Sequence, residues 1–226
     1  MTYKSFKYLL FTFLILGLLL GSYQGIWKQG AKKVTTTPIQ NKQSNQTFVE
    51  IIWDASGSMW GQNNNIRKIL KSKDIINNLN EKLSDNIYLG LRIFGARKTG
   101  DVNDSFLAVP FDKHNQTAIN NYIKNIKPLG KSPIGLSLLK AQQDLAKHNG
   151  KKYILLISDG KNNGKFSLNK VINNLSKSKI TLHTIYVGNI ENKSLQNKLR
   201  QVTKATGGNY YTYKNHLSVL KTLINE

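Results

Sequence analysis

The 226-residue chain contains no cysteine, which excludes disulfides, thiolate metal sites and cysteine nucleophiles. An apolar fraction of 39% with 9% aromatics excludes a disordered chain, and the length suits one full-size domain with an appendage, or two small domains. The net charge is +21; six lysines and no acids fall within the first 46 residues, leaving +15 for the remainder, a surface that attracts polyanions. The lysines are scattered in an Asn-rich chain, so charge alone defines no site.

Lys4 and Lys7 precede an apolar run from Tyr8 to Gly21, 14 residues long, the length of a signal-peptide hydrophobic region. Continued through Trp27 the run reaches 20 residues, enough to cross a bilayer as a helix. No good cleavage site is present: Gly21 has Leu19 two residues before it, Gly25 has Tyr23, and Ala31 has Gln29. An uncleaved signal-anchor over residues 1–27, an N-terminal transmembrane helix with Tyr23 and Trp27 at the far interface, is favoured over a cleaved signal that would release a secreted domain. Lys28, Lys32 and Lys33 lie beyond the segment and weaken the charge bias that would orient it. Residues 28–46 are polar, with one proline, and read as a flexible linker.

From Thr47 strands and helices alternate through 226. Strand 48–53 (FVEIIW) ends at Asp54; helical periodicity runs over 64–83 through Ile66, Ile69, Leu70, Ile75, Ile76, Leu79 and Leu83. Strand 87–95 follows, then a short strand 105–110 that Pro110 assigns to an edge. Helices are expected over 116–126 and 134–147, the latter with Pro133 ahead of it. Strand 152–158 is the most apolar and should be central. Helix 167–177, strand 180–188, helix 191–205, strand 209–213 and helix 215–224 complete the domain. This alternation predicts an α/β fold: a doubly wound, mostly parallel six-stranded sheet with helices on both faces and one short antiparallel edge strand.

Such sheets bind ligands at the carboxyl ends of their strands. Strand 48–53 runs into Asp54-Ala55-Ser56-Gly57-Ser58-Met59, and strand 152–158 into Asp159-Gly160. Turn propensity accounts for Asp and Gly at strand ends but not for the D-x-S-x-S spacing. Three oxygen-bearing side chains at i, i+2 and i+4 of a loop converge on one point, and oxygen-only donors suit Mg²⁺, Mn²⁺ or Ca²⁺. A polar loop that merely caps the following helix is the competing structural explanation.

DASGSMWG, GKSPIG and LLISDG, in that order, resemble the three motifs of von Willebrand factor type A (VWA) domains, which together form the metal-ion-dependent adhesion site. The resemblance extends to LGLRIFG, KPLGKSPIGLSL and ATGGNYY and covers about 180 residues, from 47 to 226. It implies a metal site of Asp54, Ser56, Ser58, Ser132 and Asp159, with Mg²⁺ the first choice of ion. Ser56 and Ser58 would ligate directly, and Asp54 and Asp159 through waters or by orienting the serines. Ser132 stands where the family usually has Thr. With neutral hydroxyls around it, the dication favours an anionic further ligand, in the family an Asp or Glu carboxylate of a partner protein.

Other motifs are weaker. Gly130-Lys131-Ser132 echoes the end of a phosphate-binding loop, but Asn125 stands where its first glycine belongs, which argues against a nucleotide cofactor. Ser58 and Asp159 with His114, His148, His183 or His216 lack the nucleophile elbow of a serine hydrolase. Trp53 is expected in the core; Trp60 is expected either exposed beside the metal or packed under the loop. The leading reading is a non-enzymatic, metal-dependent protein-binding module, tethered to a bacterial cytoplasmic membrane on its extracytoplasmic side. The alternatives are a lysine-driven polyanion binder of cell-wall polymer, lipid or nucleic acid, and an adaptor subunit of a membrane complex.

Overall fold

The computed structural model describes residues 46–84 and 86–225. The expected transmembrane segment and nearly all of the linker lie outside these residues. Among the described residues no helix is long and apolar enough to cross a membrane.

Six strands form one sheet: β1 (Thr47–Asp54), β4 (Ile87–Phe94), β5 (Ser105–Asp112), β6 (Lys151–Ser158), β7 (Thr181–Tyr186) and β8 (Tyr210–Thr212). Their order is β5-β4-β1-β6-β7-β8, parallel throughout except for β5, which runs antiparallel to β4 at the edge. β2 (Gln62–Asn63) and β3 (Ile66–Arg67) make a separate two-stranded hairpin. The helices are α1 (Lys68–Lys82), α2 (Gln116–Asn125), α3 (Ile134–Leu145), α4 (Leu168–Leu175), α5 (Lys193–Ala205) and α6 (Ser218–Asn225).

Alternation along the strands divides the core in two. Val49, Ile51 and Trp53 of β1, with Leu89, Leu91 and Ile93 of β4, face Ile75, Ile76 and Leu79 of α1, Ile119 of α2 and Val219 of α6. Phe48 and Ile52 of β1, with Ile154 and Leu156 of β6, face Ile134 and Leu138 of α3, Val171 of α4 and Leu199 of α5. Strands buried on both faces need near-continuous apolar sequence, which is what β1 and β6 have. The exception is Glu50, fully buried in β1 on the α3 side. Its Oε1 accepts from Arg92 Nε at 2.8 Å, and the same guanidinium pairs with Asp144 of α3. Burial pushes the Glu50 carboxyl up to about 7, against the pull of Arg92.

Several expectations need correction. Helix α1 begins at Lys68, not at 64. Asn64 and Asn65 have φ of 52° and 60°, the left-handed pair of a two-residue hairpin turn, and the residues around them pair as β2 and β3 instead of starting the helix. Ile66 and Leu70, counted toward the buried helical face, are 43% and 54% exposed. β5 is not short: it runs for eight residues, with Pro110 tolerated at the sheet edge as expected. β7 and β8 are shorter than the expected 180–188 and 209–213.

Candidate metal centre

The sheet reverses its winding at β1, whose neighbours β4 and β6 lie on opposite sides, so a crevice opens at the carboxyl ends of β1 and β6. Asp54 ends β1 and is fully buried. Ser56 precedes a 3₁₀ turn, Gly57–Trp60, which buried Met59 fastens to the core. The loop is held from the side by the segment before α3: Gly57 N–H donates to the Gly130 carbonyl at 2.9 Å, and Leu129 N–H to that of Ala55 at 3.1 Å. Gly95, at φ 71°, sits against both, since a Cβ there would lie 2.5 Å from the Lys131 oxygen and 2.7 Å from Ser56 Cα.

Asp54 organises the polar atoms. Its Oδ1 accepts from Ser56 N–H at 2.9 Å and Ser56 Oγ at 2.6 Å, and its Oδ2 accepts from Ser158 Oγ at 2.6 Å. Ser56 Oγ lies 3.2 Å from Ser58 Oγ; with the Ser56 proton given to Asp54, Ser58 is the donor in that pair. Burial, and next the neighbouring Asp159 carboxylate, push the Asp54 carboxyl up to about 7; the hydrogen bonds from Ser158 and Ser56 act against them.

Asp159 follows β6 and is 2% exposed. Its Oδ2 accepts from Lys68 Nζ at 2.6 Å and its Oδ1 from Lys161 N–H at 3.2 Å. Ser132 is buried beside this loop, but its hydroxyl donates to the Lys161 carbonyl at 2.6 Å. Asp54, Ser56 and Ser58 are therefore joined directly, whereas Asp159 and Ser132 are linked to one another through Lys161.

Two participants escaped the sequence reading. Ser158 had a signal, a hydroxyl closing the apolar run YILLI; Lys68 had none among its basic neighbours. Trp53 is fully buried and donates to Ser72 Oγ at 2.8 Å. Trp60 is not packed under the loop: it is 43% exposed, with its Nε1 donating to the Pro128 carbonyl at 2.8 Å. Of the histidines weighed for hydrolysis, His148 stacks on Phe48 at the start of β1, and His183 is buried in β7, accepting from Asn209 N–H.

The donor set is chemically suited to a hard divalent cation. It offers hydroxyl and carboxylate oxygens alone, and two carboxylates buried this closely are relieved by added positive charge. Among the described residues no group of three or more His, Cys, Asp or Glu side chains offers a different kind of centre.

A doubly wound sheet with an oxygen-donor loop at its switch point places the chain among α/β domains that bind ligands at the carboxyl edge. Residues 49–226 match the family model of the von Willebrand factor type A domain, and the chain belongs to that family. A Bacillus subtilis (strain 168) relative, YwmC, is 25% identical over 172 residues, covering 72% of this chain and 75% of its own. Among solved structures, an aerotolerance-related membrane protein from Bacteroides fragilis superposes with a TM-score of 0.64 at 20% identity, over 80% of this chain and 98% of that one. The manganese-loaded TRAP protein of Plasmodium vivax superposes with a TM-score of 0.60 at 19% identity, over 80% and 74% of the two chains. At these identities the two superpositions establish the fold.

Proposed function

We propose that this VWA domain binds a divalent cation, Mg²⁺ or Mn²⁺ before Ca²⁺, at Asp54, Ser56, Ser58, Ser132 and Asp159, and uses it to hold a carboxylate of a partner protein. The observation that carries this reading is the convergence of the Ser56 and Ser58 hydroxyls, 3.2 Å apart, above the buried Asp54 carboxylate. Ser56 and Ser58 would ligate directly, with Asp54 and Asp159 acting through waters or by orienting the hydroxyls. Ser132 joins the set by turning its hydroxyl from the Lys161 carbonyl. The bound ion supplies an incompletely neutralised positive charge to which an anionic oxygen can attach. The manganese in the TRAP structure supports the capacity of the fold for such an ion.

The surroundings support a protein partner over a small substrate. Trp60, Ile66, Leu129, Phe166 and Ile190 are exposed large apolar residues on segments at the carboxyl edge, five of the eight among the described residues. Their placement on neighbouring segments of one edge supports an interaction surface there. A cleft of about 200 Å³ lies in the same region, lined by Ile66, Lys71, Tyr186, Ile190 and Tyr213 among others. Tyr186 is near enough to Asp159 for the carboxylate to raise its phenol, after burial, to about 12. The module is read as a binding protein and not an enzyme, tethered by residues 1–27 outside a cytoplasmic membrane. Its excess of lysine would steer an acidic partner toward it.

Calorimetric titration of Mg²⁺ and Mn²⁺ into the full chain and into Asp54→Ala tests the reading. One-to-one binding by the parent, lost in the variant, is the expected result. Failure of both the parent and Lys68→Met, in which the lysine paired with Asp159 is neutralised, to bind either ion would refute the metal site and leave the basic surface as the main determinant; salt-dependent retention of polyanions in EDTA would then support that alternative.

A further inference from the structure

We infer that Lys68 is a tethered cation that competes with the divalent ion for Asp159, so that metal binding and release of the lysine form one exchange. The inference rests on the metal-site reading above and adds a residue outside that ligand set. Lys68 Nζ lies 2.6 Å from Asp159 Oδ2, with the lysine side chain 13% exposed and the aspartate 2%. Among the ion pairs of the described residues, this is the one that reaches either carboxylate of the site.

Helix stability does not explain a lysine here. Lys68 opens α1, which has no acid in its first turn, and Arg67 and Lys71 flank it. Cations at the positive end of a helix dipole are unfavourable, so this position opposes the helix and favours an anion close to its first turn. Asp159 is that anion. The reach is prepared on the other side too. Gly61 leaves room for the stem, since a Cβ there would stand 3.3 Å from Lys68 Cε and 3.5 Å from Nζ. The Lys68 backbone is anchored by its N–H to the Gly61 carbonyl at 2.9 Å. Exchange therefore requires the side chain to swing while the helix stays.

An ammonium and a dication cannot both lie against one buried carboxylate without strong mutual repulsion. The lysine is held in place by the chain, so it competes at high effective concentration and lowers apparent metal affinity by the fraction of molecules left unlocked. The same pairing neutralises Asp159 when no metal is bound, so that the domain stays folded without it.

The test is calorimetric titration of Mn²⁺ into the full chain and into Lys68→Met, which keeps most of the aliphatic stem and removes the charge. Thermal unfolding of both proteins in EDTA and in excess Mn²⁺ runs alongside. Lys68→Met should bind Mn²⁺ roughly tenfold more tightly, as expected for a locked form that outweighs the open one by about ten to one. It should unfold earlier than the parent in EDTA and recover in Mn²⁺. Binding by Lys68→Met with a silent parent would support the exchange in a stronger form. Equal or weaker affinity in the variant overturns it and leaves the pair as a structural clasp. Should Lys68→Met fail to fold in EDTA, Lys68→Gln replaces it under the same criteria. If neither parent nor variant binds Mn²⁺, the metal-site reading itself fails and the exchange with it.

Discussion

Ser158 Oγ donates a 2.6 Å hydrogen bond to Asp54 Oδ2, joining the last residue of β6 to the last residue of β1. The same hydroxyl oxygen accepts from Gly160 N–H at 3.0 Å, so one serine ties the Asp54 carboxylate to the loop that carries Asp159. This link registers the two halves of the proposed metal site against one another.

Ser158→Ala removes that donor from a fully buried carboxylate. We expect a loss of about 1–3 kcal/mol in stability, because the unsatisfied oxygen has no access to water. The Asp54 carboxyl should rise further, since the Ser158 hydrogen bond holds it down. Urea denaturation with Mn²⁺ titration checks both effects; unchanged stability and unchanged affinity would show the link to be dispensable.

Two buried carboxyls set the pH response of the metal-free protein. Glu50 and Asp54 stand near 7, above their ordinary values of 4.5 and 3.8. A carboxyl raised on folding binds more proton in the native state, so its contribution is fully present below the unfolded pKa and is lost as pH climbs toward the folded one. Stability in EDTA should therefore fall from about pH 3.8, where the Asp54 contribution begins to be lost, joined by that of Glu50 from about 4.5, to about pH 7, by at most about 1.4 kcal/mol per pH unit for each whole proton. Mn²⁺, which requires Asp54 ionised, should flatten the slope. Denaturation curves across that range, with and without the ion, decide the matter; stability that rises with pH in EDTA would contradict it.

Gly95→Ala strikes the clamp. A methyl group there meets the Lys131 oxygen and Ser56 Cα, both backbone atoms, at a left-handed φ that costs an L-residue about 1–2 kcal/mol by itself. The total should exceed that strain, and Mn²⁺ affinity should fall with it because the Ser56 loop must shift. Alanine tolerated at parental stability and affinity would mean that the loop is not held from this side.

Much of this was legible in the chain. Strands β1 and β6 are buried on both faces, so their sequences are apolar almost without interruption, and the carboxylates that follow them stand out. Asp54, Ser56 and Ser58 lie within five residues of one another, and local spacing foretold their meeting. The hairpin before α1 was hidden because Ile66 and Leu70 fit a helical period that the left-handed Asn64-Asn65 turn overrides. Ser158 and Lys68 were hidden for another reason: their partners come from distant strands, and single hydroxyls or lysines carry no periodicity. The Ser132 position was legible, but the turn of its hydroxyl toward Lys161 depends on a backbone carbonyl that no side-chain pattern reveals.

The buried Glu50–Arg92 pair has a consequence for assembly of the sheet. Glu50 lies opposite Gly90 and Arg92 opposite Ile52, all turned toward the α3 side. A slip of β1 by one position would reverse its faces and carry Glu50 into the layer under α1, α2 and α6, away from Arg92 and Asp144. An uncompensated charge there is worse by several kcal/mol than the paired one. The pair thus works as a key that fits one alignment of the two strands, and so guards the height at which Asp54 emerges from the sheet.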